Sequence, residues 1–385
     1  MKIIYFSETF FTDCDFPLIR ELQNMGIDIK YFFPITNNQK RQALLDLKSI
    51  KKRFGIFKAS KYPEMSIYKD YINLDKIYLI NIPEGKRRIW QLFFWSYVYI
   101  YILLMRPTIF HYTWQLTRYA KILYKLPCKK VMTVHDPLSH SCITNPIEEK
   151  ERLQAFKYAN KYILLSKALA TQFEIKYSIC KSNISFTRMG EFNFLRCINT
   201  KPAKLTDTYI LFFGQIASHK GIEYLCEAVK MLHTKFPNVN LVIAGRGNIY
   251  FDFKPYENLN YIKLINEYIP ISNLSEILQN ALFAVCPYKD ATQSGVVQMA
   301  FSTKTPLIVT NVGDLPIAVK DGVTGTVIPP CNSQALANAI DDLLSNSHKL
   351  DQYRKNIDKI WLPNMAWGNI ANDYLKVWTS LTKSV

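Results

Sequence analysis

Along the chain, short runs of β-branched, aromatic and aliphatic residues alternate with stretches whose apolar positions recur at helical spacing. In the first half the runs Lys2–Phe6, Asp28–Phe32, Ile77–Ile82, Thr108–His111, Lys130–Val134, Tyr162–Leu165 and Ile184–Thr187 predict strands. Phe16–Asn24 and Glu149–Ala159 predict helices between them. Such alternation predicts a parallel sheet flanked by helices. Around residues 190–207 the pattern breaks into the polar stretch CINTKPAKLTDT, read as an interdomain linker. A second series then opens, with strands predicted at Tyr209–Phe213, Asn240–Ala244, Leu259–Lys263, Phe283–Pro287, Leu307–Thr310 and Gly325–Ile328. Between the first two, Lys220–Phe236 carries Ile222, Leu225, Cys226, Val229 and Leu232 at the spacing of one buried helical stripe. Helical segments follow Ser333–Ser345, the last of them rich in tryptophan and tyrosine (Trp361, Trp367, Tyr374, Trp378). The expected division is 1–195, 196–362 and a terminal helical piece 363–385.

A chain of 385 residues exceeds what one core usually serves, which agrees with two domains. Its 49% hydrophobic and 21% charged residues exclude a disordered chain. The eight cysteines stand singly, without zinc or redox spacing, and predict reduced, mostly buried side chains and no metal centre. The start MKIIYFSETFF enters a strand-like run without a basic, long-apolar leader, so a cytoplasmic location is expected. Ile89–Met105 is apolar except for Gln91 and Ser96, at the lower edge of spanning length. A span there would cut the βαβ series in two, so a buried crossover helix is expected instead.

The charge is lopsided. Residues 1–190 hold 30 Lys/Arg against 15 Asp/Glu, and the remainder 18 against 16, out of a total of +17. No helix-turn-helix, zinc finger or RNA-binding signature accompanies the excess, so nucleic acid is not the expected partner. An anionic membrane surface accounts for it better. Two stretches could supply the contact. One is Lys51–Lys58, which interleaves cations with Phe54 and Phe57; the other is Leu116–Tyr124, where Arg118, Lys121 and Lys125 recur beside Tyr119, Leu123 and Tyr124. A solvated charged face is the alternative for either.

Candidate chemistry gathers in the second half. Strand YILFF leads into Gly214-Gln215-Ile216-Ala217-Ser218-His219-Lys220-Gly221 and then the amphipathic helix. A strand, a glycine-bearing turn and a helix start make a phosphate cradle, because amides at the helix end point outward and the dipole favours negative charge. Lys220 would add a cation. An ordinary cap with Ser218 as N-cap is the alternative. Gly245-Arg246-Gly247 closes the next strand and could bring Arg246 to the same anion. A third loop carries Thr292, Gln293, Ser294 and Gly295 to another helix start, and Asn311–Asp314 precedes a short helix. Three helix N-termini at one sheet edge imply an anionic ligand with several oxygens.

These residues, FFGQIASHKGIEYLCEAVKML, LVIAGRG, TQSGVVQMAFSTKTPLIVTNVGDLPIAVKDGVTGTVIPP, SQALANAIDDLLSN and AWGNIANDYLKVW, resemble in order and spacing glycosyltransferase family 4. The first half is similar chiefly at the opening strand, RPTIFHYTWQ and VMTVHDP. The resemblance implies a GT-B fold: α/β, two Rossmann-like domains with parallel sheets and an interdomain cleft. Residues 1–195 would bind acceptor, 196–362 would bind the nucleotide sugar, and 363–385 would cross back to the first domain. It implies a retaining, metal-independent transferase of hexosyl type that uses a nucleotide-diphosphate sugar and no further cofactor. By position Lys220 falls on the lysine that grips the donor diphosphate, beside Gly214, Gln215, Gly245, Arg246, Thr292, Gln293, Ser294 and Gly295. Gln215 stands where an arginine is usual, while Met299 and Ala291 stand where the family has its paired acids. The chain is therefore a TQSG-type variant without that pair, in which Gln298 could take the ribose contact. His135 matches the histidine that faces the transferred sugar. Asp13, Asp15, Asp136 and His140 are acceptor-side candidates, and His111 reads as a packing residue.

Preorganised donors and cations stabilise a departing diphosphate without a metal. The resemblance implies same-face attack, with the leaving phosphate taking the acceptor's proton. The acceptor would be a glycan or lipid-linked chain in capsule, O-antigen or other polysaccharide synthesis, reached from the cytoplasm or at the inner face of the membrane. A sugar-nucleotide epimerase on the same architecture, or a non-catalytic sugar-nucleotide binder, remains as an alternative.

Overall fold

The computed structural model describes residues 1–35, 54–82, 88–116, 118–135, 137–138, 146–165, 167, 169–197, 208–291 and 295–382. The chain divides into two compact units, Met1–Gly190 with Met365–Val385, and Glu191–Asn364. Most of the linker stretch lies outside the described residues.

The first unit is built on β1 (Lys2–Phe6), β2 (Asp28–Ile35), β3 (Gly55–Lys58), β4 (Ile77–Asn81), β5 (Ile109–Tyr112), β6 (Lys129–Val134), β7 (Lys161–Leu164) and β8 (Ile184–Phe186). They form one sheet in the order β3-β4-β2-β1-β5-β6-β7-β8. All neighbours run parallel except the edge pair β3 and β4. Ile3, Ile4, Tyr5 and Phe6 are buried in succession, as a parallel strand covered on both faces requires. β3 is absent from the sequence expectation. Its residues are only half-buried and include a cation, so no apolar alternation marks it.

The second unit holds β9 (Tyr209–Phe213), β10 (Asn240–Gly245), β11 (Ile262–Asn266), β12 (Ala284–Cys286), β13 (Leu307–Thr310) and β14 (Gly325–Ile328). They form an all-parallel sheet in the order β11-β10-β9-β12-β13-β14. β11 lies three residues beyond its predicted start, because Leu259 closes a turn by accepting from the Ile262 amide at 3.0 Å. In both sheets the chain leaves one strand toward one edge and later returns beside it on the other. These reversals, β1 with β5 and β9 with β12, are where open α/β sheets place ligand crevices.

The terminal helix Trp367–Thr382 belongs to the first unit and packs along helix Thr12–Asn24. Gly190 is where it closes down: a Cβ there would come within 2.5 Å of the Trp367 ring. Helix Arg88–Leu104 differs from expectation. It buries Phe94, Trp95, Val98 and Ile102, yet its opposite side is exposed and just as apolar. It is half a core helix.

Candidate functional site

In the second unit the strand-end loops are stitched backbone to backbone. The Gly214 amide donates to Ala244 at 3.0 Å and the Ile216 amide to Arg246 at 3.2 Å, so the exits of β9 and β10 run side by side. No side chain fits between them, since a Cβ on Gly245 would lie 1.7 Å from the Gly214 carbonyl oxygen. On the other side, the Lys289 amide donates to His219 at 2.9 Å. Gly221 there has φ +63° and would drive a Cβ to 2.1 Å from the Pro287 oxygen. Thr310 Oγ1 donates to the Tyr288 carbonyl at 2.7 Å and ties in the end of β13. The exit of β9 is thus held against the chain that leads from β12 toward helix Gly295–Ser302. Gly214 lies next to that helix, with its Cβ position 3.4 Å from Val296.

Lys220 sits on this frame. Ser218–Lys220 form a single 3-10 turn, and Gly221 rather than Ser218 caps helix Ile222–Leu232. The Lys220 ammonium lies over the Tyr288 ring, 3.7 Å from its centroid. Burial pulls its pKa below the usual lysine range, and the buried Cys286 thiol opposes that shift. Among the described residues no carboxylate pairs with it. Its neighbour Lys289 is different, because its ammonium is 2.7 Å from Glu223.

Three helix ends were expected to offer free amides, and the geometry changes that picture. The Ile222 amide already donates to the Tyr250 hydroxyl at 2.7 Å, and Tyr250 in turn donates to Glu223 at 2.5 Å. Helix Leu315–Ala318 is a single turn. What remains is the start of helix Gly295–Ser302, where a Cβ on Gly295 would meet open space. Gln298 projects from that helix, and its Oε1 is buried without a hydrogen-bond partner among the described residues. An orphaned acceptor of this kind costs free energy until a donor arrives. Gln215 and Arg246 are exposed beside the same loops. Thr292, Gln293 and Ser294 lie outside the described residues.

The carboxyl edge of the first unit is made of side chains. Asp13 and Asp15 are not in a loop: both belong to the first turn of helix Thr12–Asn24. Asp15 is buried, so its expected place as an acceptor contact does not match its surroundings. It accepts from Tyr5 at 2.9 Å, Tyr31 at 3.1 Å and Ser7. Burial pushes its pKa up to about 7, and the three hydroxyls oppose that rise. Glu8, in the loop leaving β1, is likewise raised to about 7 by burial. The sequence reading passed over this residue; its only signal was its place at the carboxyl end of β1.

His111 stacks on Tyr5 with centroids 4.5 Å apart. It accepts at Nδ1 from Trp378 at 3.1 Å, which leaves the Nε2 proton facing Thr133 Oγ1 at 2.9 Å. Burial lowers its pKa to about 3, so it is a neutral packing histidine. His135 follows β6 and stacks on Phe11 at 4.0 Å. It keeps part of its surface exposed, and burial also brings its pKa down to about 3. It is a neutral ring at a strand end. Asp136 and His140 lie outside the described residues. Among the described residues no three His, Cys, Asp or Glu side chains are grouped as metal ligands.

Two units with parallel sheets and reversal points of this kind define the GT-B fold, and comparison with solved structures agrees. Anabaena HepE, solved with UDP-glucose, superimposes with a TM-score of 0.66 over 99% of this chain and 100% of its own, at 15% identity. Residues 198–360 match the family described as "Glycosyl transferases group 1". An uncharacterized glycosyltransferase of Methanocaldococcus jannaschii is 27% identical over 199 residues, which is 51% of this chain and 50% of that protein. The alpha-D-kanosaminyltransferase of Streptomyces kanamyceticus is 26% identical over 253 residues, covering 61% of this chain and 64% of that one. The match thus spans about half to two thirds of these relatives.

Proposed function

We propose that the protein transfers a sugar from a nucleotide-diphosphate sugar to a glycan or lipid-linked acceptor, with retention and without a metal. One observation carries the reading: Lys220 holds a partly desolvated ammonium, with no carboxylate partner among the described residues, on a rigid backbone frame at the reversal point of the second sheet. A cation held this way is preorganised for the charge that grows on a departing diphosphate. The open start of helix Gly295–Ser302 would let oxygens approach the backbone closely, while Gly214 and Gly245 let the exits of β9 and β10 pack side by side beneath it. Arg246, Gln215 and the Thr292–Ser294 loop would border the phosphates, and Gln298 Oε1 would accept from a ribose hydroxyl.

In the reaction, the bond from the anomeric carbon to the phosphate oxygen breaks while an acceptor oxygen bonds from the same face. The acceptor's proton passes to the leaving phosphate. His135, neutral across the physiological range, would hydrogen-bond the sugar without adding charge. Asp13, Asp136 and His140 are the acceptor-side candidates, and a lipid-linked acceptor would be met at an anionic membrane on the cytoplasmic side. Polysaccharide synthesis is the setting this chemistry serves.

The test is product analysis with a panel of nucleotide-diphosphate sugars, with and without glycan and lipid-linked acceptors. Acceptor-dependent release of nucleoside diphosphate supports transfer. Conversion of the sugar nucleotide without acceptor would make the protein an epimerase. Tight binding with no turnover on the panel would make it a binder.

A further inference from the structure

Helix Arg88–Leu104 has a second face that the core does not use. At about 3.6 residues per turn, Ile89, Trp90, Phe93, Tyr97, Ile100 and Leu104 fall within roughly 100° of arc. They are 56, 59, 61, 49, 53 and 76% exposed. The opposite face is the reverse, with Phe94, Trp95, Val98 and Ile102 between 0 and 5%. An apolar stripe of this length in water marks an interaction surface. Phe54, 63% exposed, rests its ring 4.9 Å from Phe94, whose ring is in turn 6.4 Å from that of Tyr97 in the stripe.

Charge decides the occupant. From residue 85 to residue 135 the sequence contains nine lysines and arginines and no aspartate or glutamate. Within that segment the turn Arg118–Lys125 packs against the helix, with the Tyr99 hydroxyl donating to the Lys125 carbonyl at 3.4 Å. Leu123 and Tyr124 are fully buried there and Tyr119 is half-buried, which removes most of the apolar part of the face expected for Leu116–Tyr124. Its cations Arg118 and Lys125 remain exposed, as does Arg106 at the helix end, whereas Lys121 is 3.2 Å from Glu151. Two copies docked stripe to stripe would bring like charges together. An anionic bilayer offers hydrocarbon to the stripe and phosphate to its rim.

We propose that helix Arg88–Leu104 lies flat in the surface of an anionic bilayer, with Trp90, Phe93 and Tyr97 among the acyl chains and the neighbouring cations at the headgroups. Among the described residues no helix is long and apolar enough to span, so the contact is along the surface. The proposal deepens the membrane part of the functional reading and rests on it only for its purpose; the contact stands on this face alone.

The test is co-sedimentation with phosphatidylcholine vesicles, with and without phosphatidylglycerol. Wild-type protein should pellet with the anionic vesicles. Trp90→Glu with Phe93→Glu should reduce partitioning at least tenfold, and Arg118→Glu with Lys125→Glu should remove its salt sensitivity. Because all four residues belong to the first unit, any thermal shift caused by UDP should survive in both variants. That separates this claim from the donor site: loss of the shift with vesicle binding intact faults the donor reading alone. Wild-type protein left in the supernatant, or equal partitioning of the Trp90/Phe93 variant, overturns the proposal. So does sedimentation velocity that finds a wild-type dimer made monomeric by that variant.

Discussion

In the first unit the edge between β1 and β5 is filled by side chains: hydroxyls of Tyr5, Ser7 and Tyr31 around Asp15, and a neutral His111 held by Trp378 and Thr133. In the second, the edge between β9 and β12 is backbone against backbone, with glycines where the strands' exits touch and Lys220 set above them. The first arrangement spends its polar groups on one another. The second leaves a cation, Lys220, with the Tyr288 ring beneath it and no carboxylate beside it, and an acceptor, Gln298 Oε1, with no hydrogen-bond partner among the described residues. Equivalent places in two similar sheets are therefore not equivalent sites, and the anionic chemistry we propose belongs to the second.

The most damaging test of this contrast is Gly245→Ala. Its methyl group would collide with the Gly214 carbonyl, and backbone cannot yield as a side chain can, so a loss above about 4 kcal/mol is expected. Calorimetry should show the second unit's transition and any UDP-induced shift lost together. Trp378→Phe breaks the other edge more gently. It keeps a ring but orphans His111 Nδ1, at a cost of about 1–3 kcal/mol by denaturant titration, while any nucleotide-induced thermal shift stays unchanged.

Asp15→Asn sharpens the comparison by pH. Asp15 has a folded pKa of about 7 against an ordinary 3.8, so the stability it confers is fully present below 3.8 and lost as pH rises to about 7. Asn does not titrate. The melting temperature of the variant relative to wild type should therefore rise between about pH 4 and 7 and level off above, by about 2–4 °C for each kcal/mol. His111 and His135, with pKa values lowered to about 3, act oppositely by adding stability as pH rises to about 6.5. Their contribution is common to both proteins and cancels. A gap that stays flat with pH would mean that Asp15 is ionised throughout.

The strands were legible because a parallel strand covered on both faces is a continuous apolar run, as in Tyr209–Phe213. What escaped were places where one residue type serves two environments. Asp15 reads as a loop acid, yet with Ile19 and Leu22 it stands at i, i+4 and i+7 on the buried side of its helix, a signal that was present. Helix Arg88–Leu104 is apolar on both sides, and composition cannot say which side meets water. The loop around Lys220 was legible as a strand exit leading to a helix, but its cap was not. The positive φ of Gly221 and the use of the Ile222 amide by Tyr250 depend on residues far along the chain.

The central claim is that Lys220 supplies charge to a pyrophosphate. Isothermal titration of UDP and GDP into wild-type protein and Lys220→Ala tests it most directly. A charge-assisted hydrogen bond is worth about 1.5–3 kcal/mol, so the variant should bind the preferred nucleotide roughly 10- to 100-fold more weakly, with its melting temperature nearly unchanged. Equal affinity in the two proteins would contradict the account.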